Sequence, residues 1–327
     1  MPLLLAESDV QRVLPMADLI LAMESALVRF SSDQVTQPLR NVLEVGSDKS
    51  FFGVMPAYIP GSSALGVKVV SVFDGNAKRG LESHLATIAL FDTDTGALIA
   101  LMDGRYITEV RTAAVSAVAT RHLAHASDVA KVCVIGSGVQ ARSHLLALNC
   151  IRQFVEVRVW SPDRVHREHF AEEESKRFGL SVLAAENAEE AAQDADLIVL
   201  ATSASEPVLM SQWVSDGAHV ISVGACRPHQ REMDPFLVAR ARLFVDSRES
   251  ALTESGDIVL SIAEGHFGPE HIVAEIGEII NGRVQGRTSL SEVTIFKSLG
   301  MAVEDITAAA MVYERARAKG LGADVSI

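Results

Sequence analysis

Residues Lys131–Leu148, KVCVIGSGVQARSHLLAL, restrict the fold more than any other stretch of the chain. A short apolar run, Val132–Ile135, breaks into Gly136-Ser137-Gly138-Val139-Gln140-Ala141, and Ala141, Leu145 and Leu148 then recur at helical spacing. Strand, tight glycine turn and helix start in that order match the dinucleotide fingerprint G-x-G-x-x-G/A. Each small residue has a physical task. Gly136 allows the sharp turn, Gly138 lets the backbone approach a pyrophosphate, and Ala141 lets the helix pack closely on the strand. The helix start, with Val139 and Gln140 in its first turn, offers free N–H groups and a partial positive charge to an anion.

Glycine turns between strands and helices are common, so the surrounding pattern has to decide. Strands are predicted at Val132–Ile135, Glu156–Trp160, Ser181–Leu183, Leu197–Thr202, His219–Val223 and Leu243–Val245. Helices are predicted between them at 139–151, 165–178 and 188–193. That alternation is the order of a doubly wound parallel sheet. In the second of these helices, Glu172/Lys176 and Glu173/Arg177 stand four apart and read as a solvated face.

The region from Pro38 to Met102 reads differently. Short β-rich segments (40–45, 51–55, 66–73, 85–91 and 98–102) are separated by turn clusters such as Ile59-Pro60-Gly61-Ser62-Ser63, the pattern of a mostly antiparallel sheet. A helix opened by a Ser8/Gln11 capping box and a second over 16–31 precede it, and an alanine-rich helix over 107–124 follows. A last helix, 300–318, is expected to return to this first domain. The predicted class is therefore α/β. A Rossmann-type doubly wound sheet spans 125–299, and a discontinuous α+β domain is made of 1–124 with 300–327.

Composition removes several function classes. A formal net charge of −13 argues against nucleic acid or an anionic membrane surface as partner, though a few local cations can still hold an anionic substrate. The three cysteines, Cys133, Cys150 and Cys226, are scattered and lack zinc-ligand spacing, which points to a reducing compartment and no metal. MPLLLAESDV has no basic n-region, and no run of 18 apolar residues follows, so a cytoplasmic location is expected.

Several side chains are candidates for chemistry. The strand ending at Trp160 runs into Ser161-Pro162-Asp163-Arg164. A small hydroxyl at Ser161 with Arg164 beyond it leans towards a 2′-phosphate and NADP(H), while Asp163, turned inward, would suit NAD(H). Lys68 interrupts a run of valines, as a surface lysine or as a buried charge needing an anion; Arg40 and Arg111 are candidates to converge on that anion. His84 precedes a strand, where an imidazole lines a cleft or is simply structural. His122 and His125 read as helix C-terminal partners, with no third metal ligand beside them. Cys226, next to Arg227, is either a thiol at the mouth of a site or a small filler.

The chain also carries a series of motifs in order: GVMPAY at 53–58, MDG at 102–104, RTAAVSA at 111–117, GSGVQA at 136–141, SEP at 205–207 and FKSLGMAVED at 296–305. From about Phe30 to Tyr313 it resembles the ornithine cyclodeaminase/mu-crystallin family, and most of all its mu-crystallin (ketimine reductase) branch. The resemblance implies a homodimer formed through the sheet of the substrate domain. It implies that Arg40, Lys68 and Arg111 face the substrate carboxylate or the cofactor, and that Ser83 and His84 stand by its nicotinamide half. Thr202, Cys226 and Ser298 match positions lining the same end, and 161–164 match the stretch that holds the 2′-phosphate.

One departure separates members of the family. Cyclodeaminases carry an acid/base aspartate where this chain has Cys226, and a thiol with pKa about 8.5 replaces it poorly. The expected activity is NAD(P)H-dependent reduction of cyclic imino acids, Δ1-pyrroline-2-carboxylate or Δ1-piperideine-2-carboxylate, to proline or pipecolate. NADP(H) is favoured over NAD(H). The alternatives are an amino-acid dehydrogenase or ornithine cyclodeaminase, and a non-catalytic small-ligand-binding protein.

Overall fold

The computed structural model describes residues 1–46, 50–62, 64–127 and 129–326. By internal contacts the chain divides into two compact units, Met1–Arg111 with Gly300–Ile327, and Thr112–Leu299, and the division falls inside one helix, α3 (Arg105–Leu123).

The first unit is built on a seven-stranded sheet. Its strands are β1 (Leu3–Leu5), β2 (Asn41–Val45), β3 (Ser50–Ile59), β4 (Ala64–Val72), β5 (His84–Phe91), β6 (Leu98–Asp103) and, from the end of the chain, β15 (Ala323–Asp324). They lie in the order β15-β1-β6-β5-β4-β3-β2. Neighbours β2 to β6 are antiparallel, as predicted, whereas β1 runs parallel to β6. Leu3–Leu5, in sequence only a short apolar run, is thus an ordered strand. Of the predicted turn 59–63, Ser63 lies outside the described residues.

Side chains alternate across β4, so Ala64, Gly66, Lys68 and Val70 share its buried face. The C-terminal helix, Ala302–Lys319, packs on β3, β4 and β5 and beside α2 (Met16–Phe30). Leu19, Ile20, Met23 and Leu27 are the buried stripe of α2, as the helical spacing predicts. The expected cap at Ser8 is not formed. Helix α1 (Glu7–Val13) starts one residue earlier, with Asp9 accepting the Ala6 N–H at 3.1 Å, and Gln11 instead bonds Glu7.

The second unit holds an eight-stranded sheet with every pairing parallel. Its strands are β7 (Val129–Ile135), β8 (Gln153–Trp160), β9 (Val182–Ala184), β10 (Leu197–Leu200), β11 (His219–Ser222), β12 (Arg242–Val245), β13 (Ile272–Glu275) and β14 (Thr294–Lys297). The order β13-β12-β14-β11-β10-β7-β8-β9 contains the run 3-2-1-4-5 of the doubly wound fold, read from β9 through β7 to β11. The switch point lies between β7 and β10. Strands β10 and β11 are buried at every position, which is why they read as continuous apolar runs in sequence.

Helices α4 (Val139–Asn149) and α5 (Arg164–Phe178) follow β7 and β8. On α5 the predicted Glu172/Lys176 pair forms at 2.6 Å, but Glu173/Arg177 does not. Glu173 is taken by Arg142 on α4, and Arg177 by Glu174, a fully buried carboxylate that Arg142 also reaches. All four predicted side chains stay exposed, as a solvated face requires, and among residues 172–177 only Glu174 is buried. Among the described residues, no helix is long and apolar enough to cross a membrane.

Candidate active site

In the first unit, four of the predicted side chains cluster. Lys68, 2% exposed, points from β4 to the first turn of the C-terminal helix, where its ammonium pairs with Asp305 at 2.5 Å. The anion that a buried lysine requires is thus supplied by the chain itself. Arg111 bridges both carboxylates of that turn, with Nε donating to Asp305 at 2.9 Å and Nη1 to Glu304 at 2.6 Å. Arg40 donates to the Gly300 carbonyl at 2.9 Å, so all three cations bear on the segment that opens this helix. Glu304 and Asp305 are both fully buried.

The electrostatics follow from that arrangement. Burial lowers the pKa of Lys68 to about 8; Asp305 opposes the shift, and Arg111 and Arg40 reinforce it. Burial would raise Asp305, but Arg111 and Lys68 outweigh it and hold the carboxyl below its usual value. The two shifts differ in cause: burial dominates at Lys68, whereas the neighbouring cations together decide Asp305. His84, the first residue of β5, is pushed down to about 4 by burial and by Lys68 and Arg111. It is neutral at physiological pH. Ser83, just before it, is exposed, and its carbonyl accepts the Phe73 N–H at 2.8 Å.

In the second unit the glycine turn forms as the fingerprint requires. Gly136 has φ +122°, and a Cβ there would stand 2.4 Å from the Ala201 carbonyl oxygen, so only glycine fits. Gly138 is the N-cap of α4 with no side-chain cap, and a Cβ at that position would enter open space. Uncapped N–H groups of the first turn, Val139 and Gln140 included, with room in front of them, fit a diphosphate. Ser137 Oγ donates to Ser161 Oγ at 2.9 Å and ties this turn to the end of β8.

The residues after β8 divide in role. Asp163 does not turn inward: its carboxylate caps α5 by accepting the His166 N–H at 2.9 Å. Arg164 is exposed and pairs with Glu168 at 2.7 Å. Arg167, which sequence reasoning passed over, is nearly buried and donates to the Ser161 carbonyl at 3.0 Å.

Beyond β10, β11 and β14 stand the other three predicted residues. Thr202 donates its N–H and its Oγ1 to Glu232, at 2.7 and 2.9 Å. Cys226 is half-buried against the apolar core, and its thiol donates to the Val223 carbonyl at 3.2 Å. Ser298 is buried and bonds Asp246 at 2.9 Å. Behind them lies a group not singled out from sequence: Glu232, Asp257 and Lys297, all fully buried. Burial works against the charge of Lys297, but Asp257 and Glu232 outweigh it and hold its pKa above that of an ordinary lysine. A signal was available, since Lys297 and Glu304-Asp305 interrupt the apolar stretch Val293–Ile306.

Residues 1–320 match the ornithine cyclodeaminase/mu-crystallin family. The chain belongs to this family. The ketimine reductase mu-crystallin of Rattus norvegicus is 43% identical over 318 residues, covering 96% of this chain and 97% of the relative. The Δ1-pyrroline-2-carboxylate reductase of Thermococcus litoralis, solved with NADH and L-proline, has a TM-score of 0.95 at 41% identity, over 99% of this chain and 100% of that one. An archaeal alanine dehydrogenase dimer with bound NAD has a TM-score of 0.94 at 31% identity, over 100% and 99%.

Proposed function

We propose that this chain reduces cyclic 2-imino acids, Δ1-pyrroline-2-carboxylate and Δ1-piperideine-2-carboxylate, to proline and pipecolate. The observation that carries the reading is the convergence of buried Lys68 and Arg111 and half-buried Arg40 on one short segment, a cationic site suited to a substrate that bears a carboxylate. The reductase of Thermococcus litoralis, named for one of these imines and solved with NADH and L-proline, supports it.

A nicotinamide dinucleotide, held by the Gly136–Gln140 turn, supplies the hydride. The protein's own work is to hold the substrate and manage a proton. Arg40 and Arg111 hold the substrate carboxylate by charge-assisted bonds, and such positioning supplies much of the rate. An imine accepts hydride best when its nitrogen is protonated. His84, with its pKa near 4, holds no proton to give at pH 7, whereas Lys68, near 8, is protonated and still acidic enough to release one. Lys68 therefore donates to the imine nitrogen and recovers its proton from water, while Asp305 keeps the ammonium in place.

The finer cofactor reading is a preference for NADP(H) over NAD(H). With Asp163 committed to capping α5, Ser161 and Arg164 are the groups at the end of β8 left for a 2′-phosphate. The protein acts as a homodimer. In support, β2 is an edge strand exposed at every residue, with Leu43 64% exposed, and the alanine dehydrogenase relative is a dimer.

Oxidation of NADPH and of NADH is to be followed with each imine. Turnover with at least one imine, faster with NADPH, is the expected result. No turnover with any pairing, or ammonia release from ornithine without net change in NADH, would overturn the assignment.

A further inference from the structure

Glu232, a fully buried carboxylate of the second unit, has no part in the chemistry above. Its backbone is held first. The Glu232 carbonyl accepts the N–H groups of Val208 and Leu209, and its own N–H donates to Asp257 Oδ1 at 2.8 Å. Asp257 Oδ2 pairs with Lys297 at 3.0 Å, and Lys297 donates to Ser222 Oγ at 3.0 Å. Ser222 Oγ in turn donates to Glu232 at 3.0 Å, so the chain of contacts closes on itself.

The side chain then accepts five hydrogen bonds. Oε1 takes the N–H and Oγ1–H of Thr202; Oε2 takes Ser222 Oγ–H and the N–H groups of Gly224 and Ala225, at 2.9 and 3.1 Å. A fully buried carboxylate is costly unless its lone pairs are met in this way. What those donors have in common is place. Thr202 lies just past the end of β10, and Ser222, Gly224 and Ala225 lie at and just past the end of β11. The loops are in direct contact: a Cβ on Gly224 would stand 2.0 Å from the Thr202 carbonyl oxygen.

Ligands of doubly wound sheets bind outside the carboxyl ends of the strands, one mononucleotide half on each side of the switch point. The glycine turn after β7 and the end of β8 serve the adenosine half, so the ends of β10 and β11 serve the other. The geometry points to Glu232 as a positioning residue that staples these two loops together and so shapes the floor for the nicotinamide half of the dinucleotide. It acts through Thr202 and the 224–226 loop and touches no reacting atom. The inference rests on the dinucleotide reading of the glycine turn.

The test compares two ligands on the full-length protein by calorimetry: NADPH, and 2′-phospho-ADP-ribose, which lacks the nicotinamide. In Glu232→Gln the amide NH2 faces N–H donors and loses one side of the staple. The expected result is NADPH binding weakened about tenfold or more, with 2′-phospho-ADP-ribose binding within about twofold of wild type. A role confined to folding would weaken both ligands alike or neither, and either pattern overturns the inference. If Glu232→Gln does not fold, Ser222→Ala removes one donor and the link to Lys297, and is expected to show the same split at about threefold; no split overturns it. If the wild type selects NAD(H), NADH and ADP-ribose replace the two ligands with the same split expected, and wild-type protein that binds none of the four overturns the dinucleotide reading itself, a distinct outcome.

Discussion

Lys68→Ala is expected to lower kcat/KM for both cyclic imines by about 10²- to 10³-fold, because it removes the proton donor. The fold should survive. Asp305 keeps its second cation, Arg111, at 2.9 Å, so the buried carboxylate is not orphaned. The wild-type pH profile carries the complementary sign. Burial brings the pKa of Lys68 down to about 8 from an ordinary lysine value, so the ammonium is present below that pH and lost above it. On the alkaline side, kcat/KM should therefore fall as pH rises through about 8, and Lys68→Ala should lack that limb. Unfolding does not account for such a loss. Between about 8 and the ordinary value the unfolded chain binds more protons at this group than the folded one, so its contribution to stability rises with pH in that window. A Lys68→Ala enzyme with full activity would remove Lys68 from the site.

Arg111→Ala is expected to have the larger effect on stability. Its guanidinium contacts two fully buried carboxylates, Glu304 at 2.6 Å and Asp305 at 2.9 Å, joining the last residue of the first segment of its unit to the helix that returns at the end of the chain. Removing one partner of a buried ion pair costs about 3–5 kcal/mol, since the charges left behind stay desolvated. For a unit of this size that corresponds to a fall in melting temperature of about 10 °C or more. Arg111→Lys should recover only part of it, because a single ammonium cannot reproduce the planar fork that reaches both carboxylates. Thermal unfolding followed by circular dichroism measures both variants. An Arg111→Ala protein melting with the wild type would show that the pair is dispensable.

The parts of this molecule that could be read from sequence are those whose signal is local. The β7–α4 turn, the buried strands β10 and β11 and the amphipathic α2 each carry their pattern within a few residues. Strands β13 and β14 escaped because charged or polar residues end them, Glu275 the first and Thr294 and Lys297 the second, although all four positions of the second are buried. At the site, a lysine among valines was visible, but Asp305 was not visible as its partner, because the contact joins β4 to a helix near the far end of the chain. Glu232 left no trace at all. In Arg227-Pro228-His229-Gln230-Arg231-Glu232 it reads as one more polar loop residue, and only the convergence of the β10 and β11 loops gives it five donors.

Hydride goes to the carbon of a cyclic imine bearing one carboxylate. Reduction of Δ1-pyrroline-2-carboxylate with NADPH deuterated at the transferring face of nicotinamide C4, read by mass spectrometry and NMR of the product, tests it most directly. Proline carrying a single deuterium, at Cα, is the expected product. Unlabelled proline, or no proline at all with either nicotinamide cofactor, would contradict it.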